Sequence, residues 1–305
     1  MLLKLFKPMS IFRRIAKVKL TRPFIRVAAV SRSTLAFIAV RGIAVAAITV
    51  TGAGYASAQS PQTSAESSQA KGLSIAQEAD RRDLGFADFS SSLEMVLRNK
   101  YGEETVRNMR NKTLEQANDG DKSVIVFDNP RDVKGTAFLS FTHKEGSDDQ
   151  WLYLPALKRV KRIASNNKSG PFMGSEFAYE DISSQEVEKY SYNYLRDESF
   201  DNRDHFVIER DPADPKSGYS RQEVWLDKEA YRVWKVKFYD RKGDLLKTLI
   251  LSDYHQYLGQ YWRANNWLMT NHQTGKSTEL HNSDWKFKNG FTNKDFTKNS
   301  LARTK

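Results

Sequence analysis

Short runs that alternate apolar and polar residues recur along most of this chain, and turns of only a few residues separate them. Leu93, Met95 and Leu97 alternate with Glu94, Val96 and Arg98 before a Tyr101-Gly102 turn. Comparable runs follow at 123–127, 135–142, 150–154, 159–163, 187–195, 205–210, 220–226, 232–239, 245–257, 261–272 and 279–288. A two-residue period predicts half-buried strands. Asp240-Arg241-Lys242-Gly243 suits a type I turn completed by a left-handed glycine, and Asp227-Lys228-Glu229 and Leu258-Gly259-Gln260 supply further tight connections. Consecutive hairpins build an antiparallel meander, not βαβ units.

Such a sheet has an apolar face to cover. Trp234, Val236 and Phe238 mark that face of one strand, and Lys235 and Lys237 mark the other. Helix candidates are few. Residues 74–83 open with Ser74 and Gln77 in a capping-box spacing, and Ile75, Ala76, Ala79 and Arg82 follow at helical intervals. The region 169–184 is the other candidate. Two short helices cannot fill roughly a dozen strands, so the sheet is expected to curl into a barrel or half barrel. An interior left partly unfilled is where a hydrophobic ligand would sit.

The N-terminal region reads as an export leader. Arg41 precedes the apolar run Gly42-Ile43-Ala44-Val45-Ala46-Ala47-Ile48-Thr49-Val50, and small residues lead to Ala56-Ser57-Ala58 before Gln59. A basic flank, a short apolar run and an A-x-A site form the secretory pattern, with cleavage expected between Ala58 and Gln59. A membrane anchor needs about 20 apolar residues, and Gly52 and Gly54 interrupt this run. The basic stretch before Arg41 is unusually long, so either translation starts further downstream or the leader is atypical. Arg13-Arg14 has the form of a twin-arginine signal but lies far from the apolar run. The expected organisation is a leader over 1–58, a Ser-, Gln- and Ala-rich disordered tether over 59–72, and one β domain over 73–305.

The leader also resolves the charge. The formal net charge is +11, from 48 basic and 37 acidic residues, but ten of the basic residues lie in the leader and no acidic residue precedes Glu66. The remaining domain is nearly neutral, which disfavours generic nucleic-acid binding. No cysteine is present, so disulfides, thiolate zinc sites and cysteine nucleophiles are excluded.

The catalytic inventory is thin, and no enzymatic activity is expected. The five histidines (His143, His205, His255, His272 and His281) show no metal-ligand spacing. Only His255 and His272, in adjacent expected strands, stand a chance of meeting. Gly174-Ser175 lacks the frame of a nucleophile elbow, and Ser165-Asn166-Asn167-Lys168 matches S-x-x-K in form alone. Asp148-Asp149 sits in an expected turn. No cofactor or metal is implied.

One stretch stands apart: Trp151-Leu152-Tyr153-Leu154-Pro155-Ala156-Leu157-Lys158-Arg159-Val160-Lys161-Arg162-Ile163, followed by Phe172-Met173-Gly174-Ser175-Glu176-Phe177-Ala178-Tyr179-Glu180-Asp181. Together with Asn129-Pro130, Lys134-Gly135-Thr136, Val224-Trp225-Leu226-Asp227 and Phe238-Tyr239-Asp240, it resembles the LolA-like family of outer-membrane lipoprotein-sorting proteins. The likeness runs from about Phe86 to the C-terminus. It implies a mainly β fold, a curved antiparallel sheet forming an incomplete β-barrel around short helices, with a hydrophobic cavity for acyl chains. Relatives of this shape carry lipids or lipoproteins across the Gram-negative periplasm or sense envelope lipids. The branch is similar to one found beside RND-type exporters.

Two functional classes stay open: a monomeric periplasmic carrier of lipid or lipoprotein acyl chains, and a non-carrying sensor or adaptor for a membrane-protein partner. Trp151, Tyr153, Phe172, Met173, Phe177 and Tyr179 are the cavity or lid candidates. The segment 170–181 is too apolar for a surface loop, so it is expected to cover the cavity mouth or plug the interior. As a lid it would open to release cargo. Its Glu180 and Asp181 suit holding the loop more than chemistry. Lys158, Arg159, Lys161 and Arg162 form a local basic edge, a docking candidate for anionic headgroups or an acidic partner.

Overall fold

The computed structural model describes residues 62–303. The leader and the Ala58–Gln59 junction lie outside the described residues. The N-terminal half of the sheet comprises β1 (Asp88–Arg98), β2 (Glu104–Leu114), β3 (Lys122–Asn129), β4 (Ala137–Phe141), β5 (Asp149–Leu154) and β6 (Arg159–Ile163). The C-terminal half comprises β7 (Tyr190–Phe200), β8 (Arg203–Pro212), β9 (Tyr219–Asp227), β10 (Val233–Asp240), β11 (Leu245–Tyr257), β12 (Tyr261–Asn271) and β13 (Ser277–Phe287). Helix α1 (Gln62–Asp83) precedes the sheet and the single turn α2 (Lys298–Leu301) follows it.

All thirteen strands form one sheet in the order β6-β5-β4-β3-β2-β1-β13-β12-β11-β10-β9-β8-β7. Every pairing is antiparallel, and β1 joins the two halves by pairing with β13. The two edge strands, β6 and β7, are therefore consecutive in sequence. The sheet is an incomplete barrel, open between them. Their connection, 164–189, leaves the sheet surface and buries Phe172 and Phe177 inside.

The alternation read from sequence sets which residues face in. Val224 and Leu226, Val236 and Phe238, and Leu249 and Leu251 join the main core on the concave face. Strand β3 is apolar in every central position because both its faces are covered. Ile125 and Phe127 enter the main core, while Val124 and Val126 meet Phe296 and Leu301 of the C-terminal segment on the convex side. Asp227 ties the β9–β10 hairpin by accepting from Ala230 N, Arg232 Nε and Trp234 Nε1 at 2.6–2.7 Å. Gly243 and Gly259 take positive φ at the two following hairpins, as their turns require.

Three features depart from the sequence reading. Strand β2 lacks an apolar stripe, since Met109 is its one buried apolar residue, so periodicity did not reveal it. The region 169–184 holds only the short 3-10 turn Phe172–Gly174. Helix α1 begins at Gln62, so most of the segment expected to be a tether is helical. Its composition is polar, but it docks on the edge strand β7. Ser68 Oγ donates to Tyr194 O at 2.6 Å, and Lys71 Nζ sits 3.3 Å from the centre of the Tyr194 ring.

Gly72 lies against the β7 backbone in that docking. A Cβ there would lie 2.7 Å from Asn193 C and Tyr194 N. In a free helix Gly→Ala stabilises by about 1 kcal/mol. Here Gly72→Ala is expected to do the reverse, lowering Tm and speeding amide exchange in α1 and β7. Unchanged exchange would show that α1 does not depend on this contact.

Candidate functional site

A cavity of about 730 Å³ lies on the concave face, within the range of small-molecule sites. Its floor is the alternating apolar set of β8–β11, including Ile208, Val224, Leu226, Val236, Leu249 and Leu251. Ala76 and Ala79 of α1 face it from one side, and Ile182 and Val187 from the 164–189 connection. Aromatic residues complete the wall: Phe86, Phe89, Tyr254, Trp262, Trp267 and Trp285.

The polar tips of several wall aromatics point back into the protein. Tyr254 Oη donates to Val233 O, Trp267 Nε1 to Ala264 O at 3.1 Å, and Trp285 Nε1 to Asn265 Oδ1 at 3.0 Å. These rings offer the cavity their apolar faces while their donors are satisfied elsewhere. An occupant need supply no hydrogen bond to them.

The rim is charged. Asp80, Glu115, Asp119, Asp121 and Glu186 line it with Arg82, Lys144, Arg210 and Arg263. Burial, reinforced by the neighbouring carboxylate of Glu186, pushes Asp121 up to about 7. Burial likewise raises Glu186 and Asp80. A carboxyl at the edge of an apolar cavity therefore titrates near neutrality.

The six cavity or lid candidates divide between two places. Trp151 and Tyr153 belong to the convex cluster with Phe296 and Leu301, because alternation along β5 turns Leu152 and Leu154 inward instead. They do not reach the cavity. Phe172 and Phe177 are 0% and 1% exposed. Phe172 lies 5.2 Å from Phe138 and 6.0 Å from Phe127, Tyr179 lies 5.6 Å from Phe138, and Phe177 lies 6.4 Å from Trp267, centroid to centroid. Met173 packs partly buried against the same core with φ 51°. None of these four lines the cavity. Within the segment 170–181 only Asp181 lines the cavity, and its apolar side chains plug the core beside it.

Polar bonds pin that plug. Asp181 Oδ2 meets Lys247 Nζ at 2.6 Å, with both side chains at most 5% exposed. Asp181 also accepts from Tyr219 Oη at 2.8 Å and Ala178 N at 2.7 Å. Lys247 Nζ donates to Glu176 O at 2.8 Å. Glu180 accepts from Ser217 Oγ and Gly218 N at 2.8 and 2.9 Å. Lys247 escaped the sequence reading although its signal is legible. It occupies an inward position between Leu245 and Leu249, where alternation calls for an apolar residue.

The basic candidates stay at the surface. Lys158, Arg159, Lys161 and Arg162 are all exposed on β6 and the hairpin before it, and Arg162 pairs with Asp149. The histidines remain apart. His255 Nε2 contacts Asp253 Oδ1, while His272 Nε2 contacts Thr248 Oγ1 at the far end of the β11–β12 hairpin.

With this geometry in view, the chain can be placed among known proteins. A family model described as an uncharacterized protein matches residues 119–303. A domain ascribed to outer membrane lipoprotein-sorting proteins, from Vibrio parahaemolyticus, is 60% identical, with TM-score 0.76, covering 77% of this chain and 100% of that one. A DUF1329 family protein from Desulfovibrio piger is 29% identical with TM-score 0.73, over 77% and 99% of the two chains. A LolA superfamily protein from Nitrosomonas europaea shares the fold at 24% identity and TM-score 0.61, over 75% and 98%. No curated protein matches. The chain belongs to the family of that 60% identical outer membrane lipoprotein-sorting domain, and it shares its fold with the LolA superfamily protein.

Two outcomes test the electrostatics. Lys247→Met leaves Asp181 buried without its counter-ion and is expected to cost about 3–5 kcal/mol, with Lys247→Met/Asp181→Leu recovering part of the loss. A single-mutant loss below about 1 kcal/mol in denaturant titrations would contradict a buried latch. Asp121 binds its proton more tightly folded than unfolded. Its contribution to stability is therefore full below about pH 4 and lost as pH rises through about 7. Asp121→Asn should remove that decline, so its Tm gains on the parent between pH 4 and pH 7. Parallel Tm profiles would contradict the raised affinity.

Proposed function

We propose that this protein is a periplasmic carrier that shields lipid or lipoprotein acyl chains in the concave cavity, working with an RND-type exporter in the envelope. The observation carrying this reading is the unfilled cavity of about 730 Å³, with an aliphatic floor and wall aromatics whose donors are already satisfied by the protein. The 60% identical domain ascribed to outer membrane lipoprotein sorting supports the same class. The adaptor alternative expects a filled core, which this cavity disfavours.

Carriage needs no bond chemistry. Each buried methylene contributes about 0.8 kcal/mol, so about ten of them supply about 8 kcal/mol, the scale of micromolar affinity. The pinned plug makes release by opening 170–181 unattractive. Helix α1 is the better gate, because it walls the cavity and is anchored by fewer polar contacts than the plug: Ser68 to Tyr194 O, Lys71 over the Tyr194 ring, Arg82 to Glu229 O at 3.1 Å and Asp83 to Arg263 at 2.5 Å.

The first experiment is native mass spectrometry with lipid extraction on protein purified from the periplasm. A stoichiometric lipid or lipoprotein supports carriage, and an apo protein that also refuses fluorescent acyl probes would sink it. Ala79→Trp, which fills the cavity from α1, is expected to weaken probe binding at least about tenfold with Tm changed by only a few degrees. Full probe binding by this variant would place the acyl site elsewhere.

A further inference from the structure

An open antiparallel sheet has two edges, and this chain treats them differently. Edge strand β7 is covered by α1, whose Gly72 sits against the β7 backbone at Asn193 and Tyr194. Edge strand β6 has β5 as its one neighbour in the sheet. Arg159, Val160, Lys161 and Arg162 are all exposed, and Leu157 before them is 52% exposed. The outer backbone groups of β6 thus face solvent as a template for another strand.

The side chains on this edge carry one sign. Arg162 is neutralised by Asp149. Among the described residues, Lys158, Arg159 and Lys161 have no ion-pair partner, although the domain as a whole is nearly neutral. Arg159 and Lys161 pair with Leu154 and Leu152 across the β5–β6 ladder, so both project on the same face of the strand, two residues apart. A strand added to β6 would place its own alternate residues beside them.

We infer that β6 is a docking edge for an acidic, extended segment of a partner protein, which adds to the sheet as a further strand. Main-chain bonds to β6 supply affinity, and carboxylates beside Arg159 and Lys161 supply register and selectivity. A bare lipid surface would use the cations but has no use for the free backbone edge. The inference is independent of acyl carriage, since the edge lies outside the cavity lining.

The test uses fluorescein-labelled peptides of about eight residues in fluorescence anisotropy with the purified protein. A Glu-Val alternating peptide is expected to bind, more weakly at high salt, and its Lys-Val counterpart is not. Two further Glu-Val peptides carry N-methyl groups on odd or on even residues. One should lose binding and the other keep it, because only one set of amides faces β6. Arg159→Glu/Lys161→Glu should weaken binding at least about tenfold while circular dichroism and acyl-probe uptake stay unchanged. Indifference to both methylation patterns would reduce the site to charge attraction and overturn strand addition. So would an absence of peptide binding, whether or not the same variant loses adhesion to phosphatidylglycerol vesicles. Failed acyl uptake with intact peptide binding would count against the carrier reading alone.

Discussion

A long antiparallel meander produces more apolar concave surface than its own helices can cover. Each strand from β8 to β11 turns a row of aliphatic or aromatic side chains inward, and curvature brings those rows to face each other. The interior must then be filled by something other than strands. Two pieces do this: the 164–189 connection, which enters between the edges, and α1, which lies across the open side. They fill it incompletely. The cavity is what remains between plug, helix and sheet.

The plug is fixed by electrostatics as well as packing. Burying Asp181 and Lys247 together costs desolvation of both, and hydrophobic replacements of matching volume would serve stability as well or better. What the pair adds is position. Asp181 is held at once by Lys247 from β11, Tyr219 from β9 and the plug's own Ala178 N. Phe172 and Phe177 can slide within an apolar core, but a carboxylate with three directed partners cannot. The plug therefore sets one boundary of the cavity rigidly, and α1 sets the other with far fewer directed bonds.

This division explains what was legible in the sequence. Strand alternation, the hairpin turns and the single antiparallel sheet are local properties, and residues such as Val236, Phe238 and Gly243 announce them. Strand β2 does not, because its neighbours supply its burial while its own side chains are mostly polar. Apolar content puts 170–181 inside or over the interior, but composition cannot tell a plug from a lid. That distinction depends on Lys247, about seventy residues away in sequence. Trp151 and Tyr153 are cavity candidates by the motif that carries the resemblance, whereas the parity of β5 and the C-terminal Phe296 and Leu301 claim them for the convex side. The polar composition before Ser74 suggested disorder. Tertiary contact with β7 overrides it, a contact no local pattern encodes.

The walls of the cavity decide what kind of occupant it suits. A site that selects by hydrogen bonding keeps donors and acceptors pointed at its ligand, and leaves them unpaired when the ligand is wrong. Here the donors of Tyr254, Trp267 and Trp285 are already committed to Val233, Ala264 and Asn265. Such a wall discriminates by length and cross-section, at about 0.8 kcal/mol per methylene, and barely distinguishes one saturated chain from another of similar size. Chemical selectivity would then come from the charged lining, which carries both Asp121 and Glu186 and Arg82 and Arg263. Because Asp121 titrates close to neutrality, the rim's balance of charge shifts with pH while the apolar wall does not. For an acyl occupant, affinity and selectivity would thereby fall to different parts of one cavity.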